Sequence, residues 1–328
     1  MGAPLLELDR LSTHYISARG TRVTRAVQDV SLTMEAGQTL GIVGESGSGK
    51  TTLALSILRL LPPAARIVSG GLRFDGEDLL RKSPREMRQI RGKKIAMILQ
   101  DPMASLNPLF TIGDQVAEPI RVHEGVRRRT AWARARDLLA SVRIAAPERR
   151  VREYPHEMSG GMRQRIVGAI AISCEPRLLI ADEPTTSLDV TIQAQYLNLL
   201  RELQRAHGLA LIFITHNLGI VARMCDTVAV MYAGRLVEFG PVRQIFDQPC
   251  HPYTRALLES IPRLTDTEAR LTAIDGQPPD PASLPSGCAF HPRCLKALDR
   301  CRVEAPPNYV VGPQQTAACW LHDGAQLA

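Results

Sequence analysis

Eight consecutive residues, Gly44-Glu45-Ser46-Gly47-Ser48-Gly49-Lys50-Thr51, constrain this chain more than any other feature. Glycine at every second or third position lets the backbone turn its N–H groups inward, and the flanking residues say where that turn sits. Residues 39–43 form a short apolar run with strand character, while residues 50–61 carry Leu53, Ile57, Leu58 and Leu61 at a helical period. A strand, a glycine-rich turn and a helix in that order bring backbone donors and the positive end of a helix dipole to one point, a seat for phosphate. The spacing G-x-x-x-x-G-K-[ST] supplies a lysine, Lys50, to reach β and γ phosphates, and a hydroxyl, Thr51, to ligate Mg²⁺. Gly44 to Thr51, with Thr52 behind them, are the candidate nucleotide-binding residues.

Further apolar runs bounded by turn residues predict strands at residues 5–11, 27–34, 95–99, 178–181, 211–215 and 228–232, and helical patterns lie between several of them. Strands alternating with helices predict an α/β fold with a largely parallel sheet. Residues 113–157 contain helix formers and no convincing strand, and are expected to be a helical insertion. From Pro241 onward prolines cluster and periodicity fades. The 328 residues therefore divide into a domain of residues 1–240 and a tail of residues 241–328.

Composition narrows the classes. Aromatic residues are only 4% of the chain, which argues against a stacking surface for single-stranded nucleic acid. No run reaches the roughly 18–20 apolar residues of a membrane span, and the first ten residues lack a signal-peptide pattern, so the protein is expected to remain in the cytosol. The net charge of +7 is carried mostly by arginine. Its densest stretches, around residues 127–136 and 149–152, are interspersed with Ala, Leu and Val, and are read as a solvated helical face in preference to a nucleic-acid patch.

A second motif, Leu178-Leu179-Ile180-Ala181-Asp182-Glu183, is an apolar strand ending in two carboxylates. Asp182 would hold Mg²⁺ and Glu183 would polarise the attacking water. Met158-Ser159-Gly160-Gly161-Met162, about twenty residues earlier, resembles the signature loop of ATP-binding cassette (ABC) ATPases. That resemblance implies a phosphate-loop ATPase with a RecA-like core, an antiparallel β subdomain and a helical insertion. It implies that Ser159, Gly160, Gly161 and Met162 complete the ATP site of an opposing subunit in a head-to-tail dimer. It also assigns Gln100 as the Q-loop glutamine and a Mg²⁺ ligand, Ser187-Leu188-Asp189 as the D-loop, His216 as the switch histidine and Tyr15 as the adenine-stacking aromatic. Met162 stands where the wider superfamily usually has Gln, and Asn217 where Asp is common.

Residues 100–108, 184–195 and His251-Pro252-Tyr253-Thr254 with Leu257-Leu258 are similar to the ATPase subunits of oligopeptide, dipeptide and nickel importers. The resemblance implies ATP-driven import through two membrane permease subunits, a second ABC ATPase as dimer partner, and an indirect partner in a periplasmic or lipid-anchored solute-binding protein. Nucleic acid is not an expected partner. The chain would lie peripherally on the cytoplasmic face of the inner membrane. The rival readings are a soluble cassette ATPase acting on DNA or ribosomes and, within transport, nickel-chelate or glutathione-type import. Cys288, Cys294, Cys301 and Cys319 are spaced C-x₅-C-x₆-C-x₁₇-C, without the close pairs of ordinary zinc sites. The tail resembles that of importer ATPases, some of which carry a [4Fe–4S] cluster; a cluster, zinc and reduced free thiols are the alternatives.

Overall fold

The computed structural model describes residues 3–101, 105–186, 188–261 and 274–324. Pro102, Met103 and Ala104 of the importer-like run, Ser187 of the D-loop, and residues 262–273 and 325–328 of the tail lie outside the described residues. In chain order the strands are β1 (Leu6–Ile16), β2 (Val23–Met34), β3 (Thr39–Val43), β4 (Ala65–Phe74), β5 (Glu77–Asp78), β6 (Ile95–Ile98), β7 (Leu178–Asp182), β8 (Ala210–Ile214), β9 (Thr227–Tyr232), β10 (Arg235–Pro241), β11 (Tyr309–Gly312) and β12 (Gln315–Ala317). The α-helices are α1 (Lys50–Ile57), α2 (Pro84–Ile90), α3 (Ile112–Glu124), α4 (Arg128–Ser141), α5 (Pro147–Arg150), α6 (Gly160–Ile172), α7 (Val190–His207), α8 (Leu218–Met224), α9 (Val242–Asp247) and α10 (Pro252–Glu259). They fall into two compact units, one of residues 1–34, 39–80 and 214–328, the other of residues 35–38 and 81–213.

The first unit contains an antiparallel sheet of order β2-β1-β4-β5 and the strand series β11-β12-β10-β9-β3. Within that series β3 and β9 are parallel and the other pairs antiparallel. All five residues of β3 are buried, which explains its unbroken apolar run. β4 was not legible in the sequence: ARIVSGGLRF has two glycines and no alternation, and it becomes a strand through its ladder with β1, from Leu6 opposite Phe74 to Tyr15 opposite Ala65. Helix α1 stops at Ile57, short of the expected residue 61. Arg59 turns left-handed, with φ of 51°, and Pro62 and Pro63 follow, so the apolar period runs on past the end of the helix.

The second unit carries β8, all but its last residue, with β7 and β6 beside it in that order, and β6 and β7 are parallel. Helices α3, α4 and α5 follow one another from Ile112 to Arg150, and a 3₁₀ turn at Pro155–Glu157 follows them. Asp114 knits this segment, accepting from Thr111 Oγ1 at 2.9 Å, Trp132 Nε1 at 3.0 Å and Arg128 Nη2 at 2.9 Å. In α7 the predicted stripe of Tyr196, Leu199, Leu200 and Leu203 is buried.

The tail packs into the first unit. β12 pairs with β10, Glu238 opposite Ala317, and Phe290 joins a core of Val43, Val228, Val230, Tyr232 and Tyr253. The rings of Tyr232 and Tyr253 lie 4.6 Å apart, and Phe290 stands edge-on to Tyr232 at 5.2 Å. His251 caps α10, its Nδ1 accepting from the Tyr253 N–H at 3.0 Å, and burial pushes its pKa down to about 3, so the ring is neutral. Because Phe290 is 3% exposed, Phe290→Ala is expected to lower stability by about 3–5 kcal/mol. Thermal unfolding of the full chain measures this, and a melting temperature equal to that of the wild type would contradict the packing.

Candidate functional site

The phosphate loop, residues 44–51 of the first unit, runs from the end of β3 into the first residues of α1. Gly44, with φ of 149°, and Gly49, with φ of 99°, hold backbone conformations closed to most side chains. They also lie against neighbouring backbone: a Cβ on Gly44 would meet Met231 O at 2.1 Å, and one on Gly49 would meet Ala26 O at 2.2 Å. Gly49 sits at the N-cap of α1 and makes no side-chain capping bond, and a helix N-terminus turns its backbone N–H groups and positive dipole end toward an anion. The Lys50 ammonium is buried inside the loop, donating to Gly44 O and Glu45 O at 2.8 Å and to Ser48 Oγ at 3.3 Å. Ser46, Gly47 and Thr51 are exposed. Thr52 Oγ1 is 3.4 Å from Tyr15 Oη, which brings the predicted adenine-stacking ring to the first turn of the loop's helix.

The second unit places Asp182, 2% exposed, at the tip of β7. Glu183 then turns left-handed, with φ of 45°, an uncommon conformation for a residue with a side chain. In that turn its Oε2 accepts from Gln100 Nε2 at 3.1 Å and from Thr186 Oγ1 at 3.0 Å. The structure thus brings two expected catalytic residues, 83 positions apart in sequence, into one hydrogen-bonded group. Ser159 is exposed at the N-cap of α6, its Oγ accepting from Met162 N–H at 3.3 Å, and the Gly160 Cα faces open space. Gly161 is packed near Ile192. Asp189 caps α7, accepting from Thr191 and Ile192 N–H at 3.1 and 3.0 Å, a local role that the motif reading did not anticipate. His216, in the first unit, is exposed just past the end of β8.

Thr51 in the first unit, and Gln100 and Asp182 in the second, each carry a hard oxygen donor of the kind that Mg²⁺ takes. Of the three alternatives for the tail cysteines, the cluster finds no support in the structure. Among the described residues no group of three or more His, Cys, Asp or Glu side chains is placed to hold a metal ion. Burial raises the pKa of the Cys288 and Cys294 thiols, and that of Cys319 to about 11, and the neighbouring tail cysteines add to each rise. The [4Fe–4S] expectation is therefore unsupported by the geometry.

Sequence reasoning missed the far side of the loop. Glu45 was read only as a loop position, yet its N–H donates to Tyr253 Oη at 2.9 Å and its carboxylate pairs with Arg293 of the tail. Arg293 lies 248 positions away and no short-range pattern connects the two.

A glycine loop folded around a buried lysine between strand and helix, and a buried aspartate before a turned-out glutamate, define the class as a phosphate-loop ATPase. Residues 27–186 match the ABC transporter family and residues 237–301 match the oligopeptide/dipeptide transporter C-terminal region. The chain is 46% identical to the oligopeptide transport ATP-binding protein OppD of Haemophilus influenzae, an alignment that takes in 97% of each protein. It is 48% identical to the dipeptide transport ATP-binding protein DppD of Bacillus subtilis, over 97% of this chain and 95% of that one. Among solved structures, cbiO1 from Clostridium perfringens, part of the ABC transporter complex cbiONQ, matches with a TM-score of 0.64 and 26% identity, over 75% of this chain and 92% of that one. A dimeric ATP-binding cassette in a post-hydrolysis state with ADP and Pi shares the fold at a TM-score of 0.65 and 24% identity, over 73% of this chain and 99% of that one. This chain belongs to the ABC transporter ATP-binding proteins, in the branch that carries the oligopeptide/dipeptide transporter C-terminal region.

Because a methyl group at residue 49 has no room and the wrong φ, Gly49→Ala is expected to cost roughly 2–4 kcal/mol and to abolish nucleotide binding. Thermal unfolding together with binding of a fluorescent ATP analogue checks both, and wild-type values in either would contradict the loop geometry.

Proposed function

We propose that this chain is the ATP-hydrolysing subunit that energises import of peptides through two membrane permease subunits. The observation that carries the reading is the Gln100–Glu183 hydrogen bond in the turn after a buried aspartate-tipped strand. Its support is the similarity to peptide-transport ATP-binding proteins along nearly the whole chain, tail included.

In this reading the phosphate loop, residues 44–51, cradles the β and γ phosphates with backbone N–H groups while Lys50 exchanges its carbonyl contacts for phosphate oxygens. Tyr15 stacks on adenine. Thr51, Asp182 and Gln100 hold Mg²⁺, which when bound neutralises charge on the phosphates. Glu183 orients the attacking water and accepts its proton, and Gln100 and Thr186 fix the carboxylate for that task. His216 holds the γ-phosphate geometry. Ser159, Gly160, Gly161 and Met162 close on the nucleotide of an opposing ABC ATPase subunit, with Asp189 of the D-loop beside them, so each ATP joins two subunits. Closure and reopening pull on the helical segment 113–157, where the permeases dock. The two-part organisation, residues 1–240 as cassette and 241–328 as tail, belongs to this proposal. So do peripheral attachment at the cytoplasmic face of the membrane and an indirect partnership with a solute-binding protein.

Glu183→Gln tests the chemistry: it is expected to keep ATP binding, to lower hydrolysis by about 10²–10⁴-fold and to accumulate a closed ATP-bound dimer. Steady-state phosphate release and gel filtration with ATP measure both, and near-normal turnover would remove Glu183 from its role. Lys50→Ala is expected instead to lose nucleotide affinity.

A further inference from the structure

The phosphate loop is held from behind by the tail, through a joint in which every donor of one arginine is used. Arg293 lies in the short 3₁₀ turn His291–Arg293, beside Cys294. Its Nη1 and Nη2 donate to the two carboxylate oxygens of Glu45 at 2.8 and 3.0 Å, a bidentate pair. The remaining donors are spent on Tyr232 Oη at 3.2 Å, Ile274 O at 3.2 Å and Asp275 O at 2.9 Å. A guanidinium has five N–H groups, and all five find acceptors here. The side chain is 5% exposed and that of Glu45 26%, so this is no solvent-screened surface pair.

Glu45 is in turn fixed at its backbone. Its N–H donates to Tyr253 Oη of α10, and its carbonyl accepts from Lys50 Nζ at 2.8 Å and from Ser48 N–H at 3.2 Å. One residue therefore links the loop's phosphate-binding lysine to the tail. The proline run Pro278-Pro279-Asp280-Pro281 walls a cavity of about 280 Å³ on the same side of the loop, and Pro281 O accepts from Arg25 N–H at 3.1 Å. The tail's grip is thus built of an ion pair, a tyrosine hydroxyl and a proline run, all near residue 45.

We propose that Arg293 is a positioning residue of the ATPase: by clamping Glu45 it holds the phosphate loop in the conformation that receives ATP, so that the tail sets nucleotide affinity. This rests on the ATPase reading above. Arg293 acts through Glu45 and touches no nucleotide itself, so it governs how well ATP is bound and leaves the chemical step alone.

The experiment uses the full-length chain with Arg293→Gln, Arg293→Lys, Glu45→Gln and the double variant Glu45→Gln/Arg293→Gln, reading KM for ATP, kcat and melting temperature. Arg293→Gln is expected to raise KM by about three- to tenfold with kcat within about twofold, the pattern of lost binding that is shared by ground and transition states. Arg293→Lys, which keeps the charge and loses the fork, is expected to fall between the two. The double variant is expected to be no worse than Arg293→Gln, because both changes break one pair. A wild-type KM in Arg293→Gln, whatever its melting temperature, overturns the role and leaves Arg293 a structural staple. Additive effects in the double variant overturn it as well. Should Arg293→Gln fail to fold, an unchanged KM in Arg293→Lys overturns it and a raised KM upholds it. If wild-type protein binds no ATP in a Lys50-dependent manner, the ATPase reading falls and this role with it; a normal Lys50-dependent KM that ignores Arg293 removes this role alone.

Discussion

Two contacts of backbone against backbone govern the nucleotide site. Gly44 rests against the carbonyl of Met231 and Gly49 against that of Ala26, each closer than any side chain would allow. Those contacts press the phosphate loop into the end of β9 and the flank of β2, and Gly234 N–H returns a hydrogen bond to Ser48 O at 3.0 Å. With the loop backbone fixed, the Lys50 ammonium lies against the loop's own carbonyls, donating to Gly44 O and Glu45 O. Without glycine at 44 and 49, the strand, the loop and the helix could each form, but they could not meet at this distance.

Much of the cassette was legible because its chemistry is local. Residues 44–51 carry their own geometry in a glycine pattern, β3 and β7 announce themselves as buried apolar runs, and Ser159 opens α6 at an N-cap position that its residue type favours. What stayed hidden depends on partners distant in sequence. β4 owes its conformation to β1, and β10, β11 and β12 are short segments that become strands by pairing with one another and with β9. The Glu183 hydrogen bond from Gln100 could be expected only from a resemblance, since nothing in either segment's pattern points to the other.

The tail changes character once it is seen in place. Its prolines and faded periodicity read as a separate appendage, yet Phe290 lies in the same core as Val43, the last residue of the strand that leads into the phosphate loop. Tyr232 and Tyr253 join the two, offering rings to Phe290 and hydroxyls to Arg293 and Glu45. Hydrophobic burial and hydrogen bonding therefore act on the same few side chains. The apolar contacts hold the segment in register and the polar ones fix its angle to the loop.

The pairing of β12 with β10 has a consequence for how the protein survives at high concentration. Without the tail, the seven residues of β10 would present a row of unsatisfied N–H and C=O groups, a template on which strands of other molecules could grow. The tail moves that exposed margin outward to β11, which is four residues long, is preceded by Pro306 and Pro307 and is followed by Pro313. A margin so short and so bounded by prolines offers little for another chain to extend. The same segment that reaches the phosphate loop thus also covers the β10 edge of the sheet.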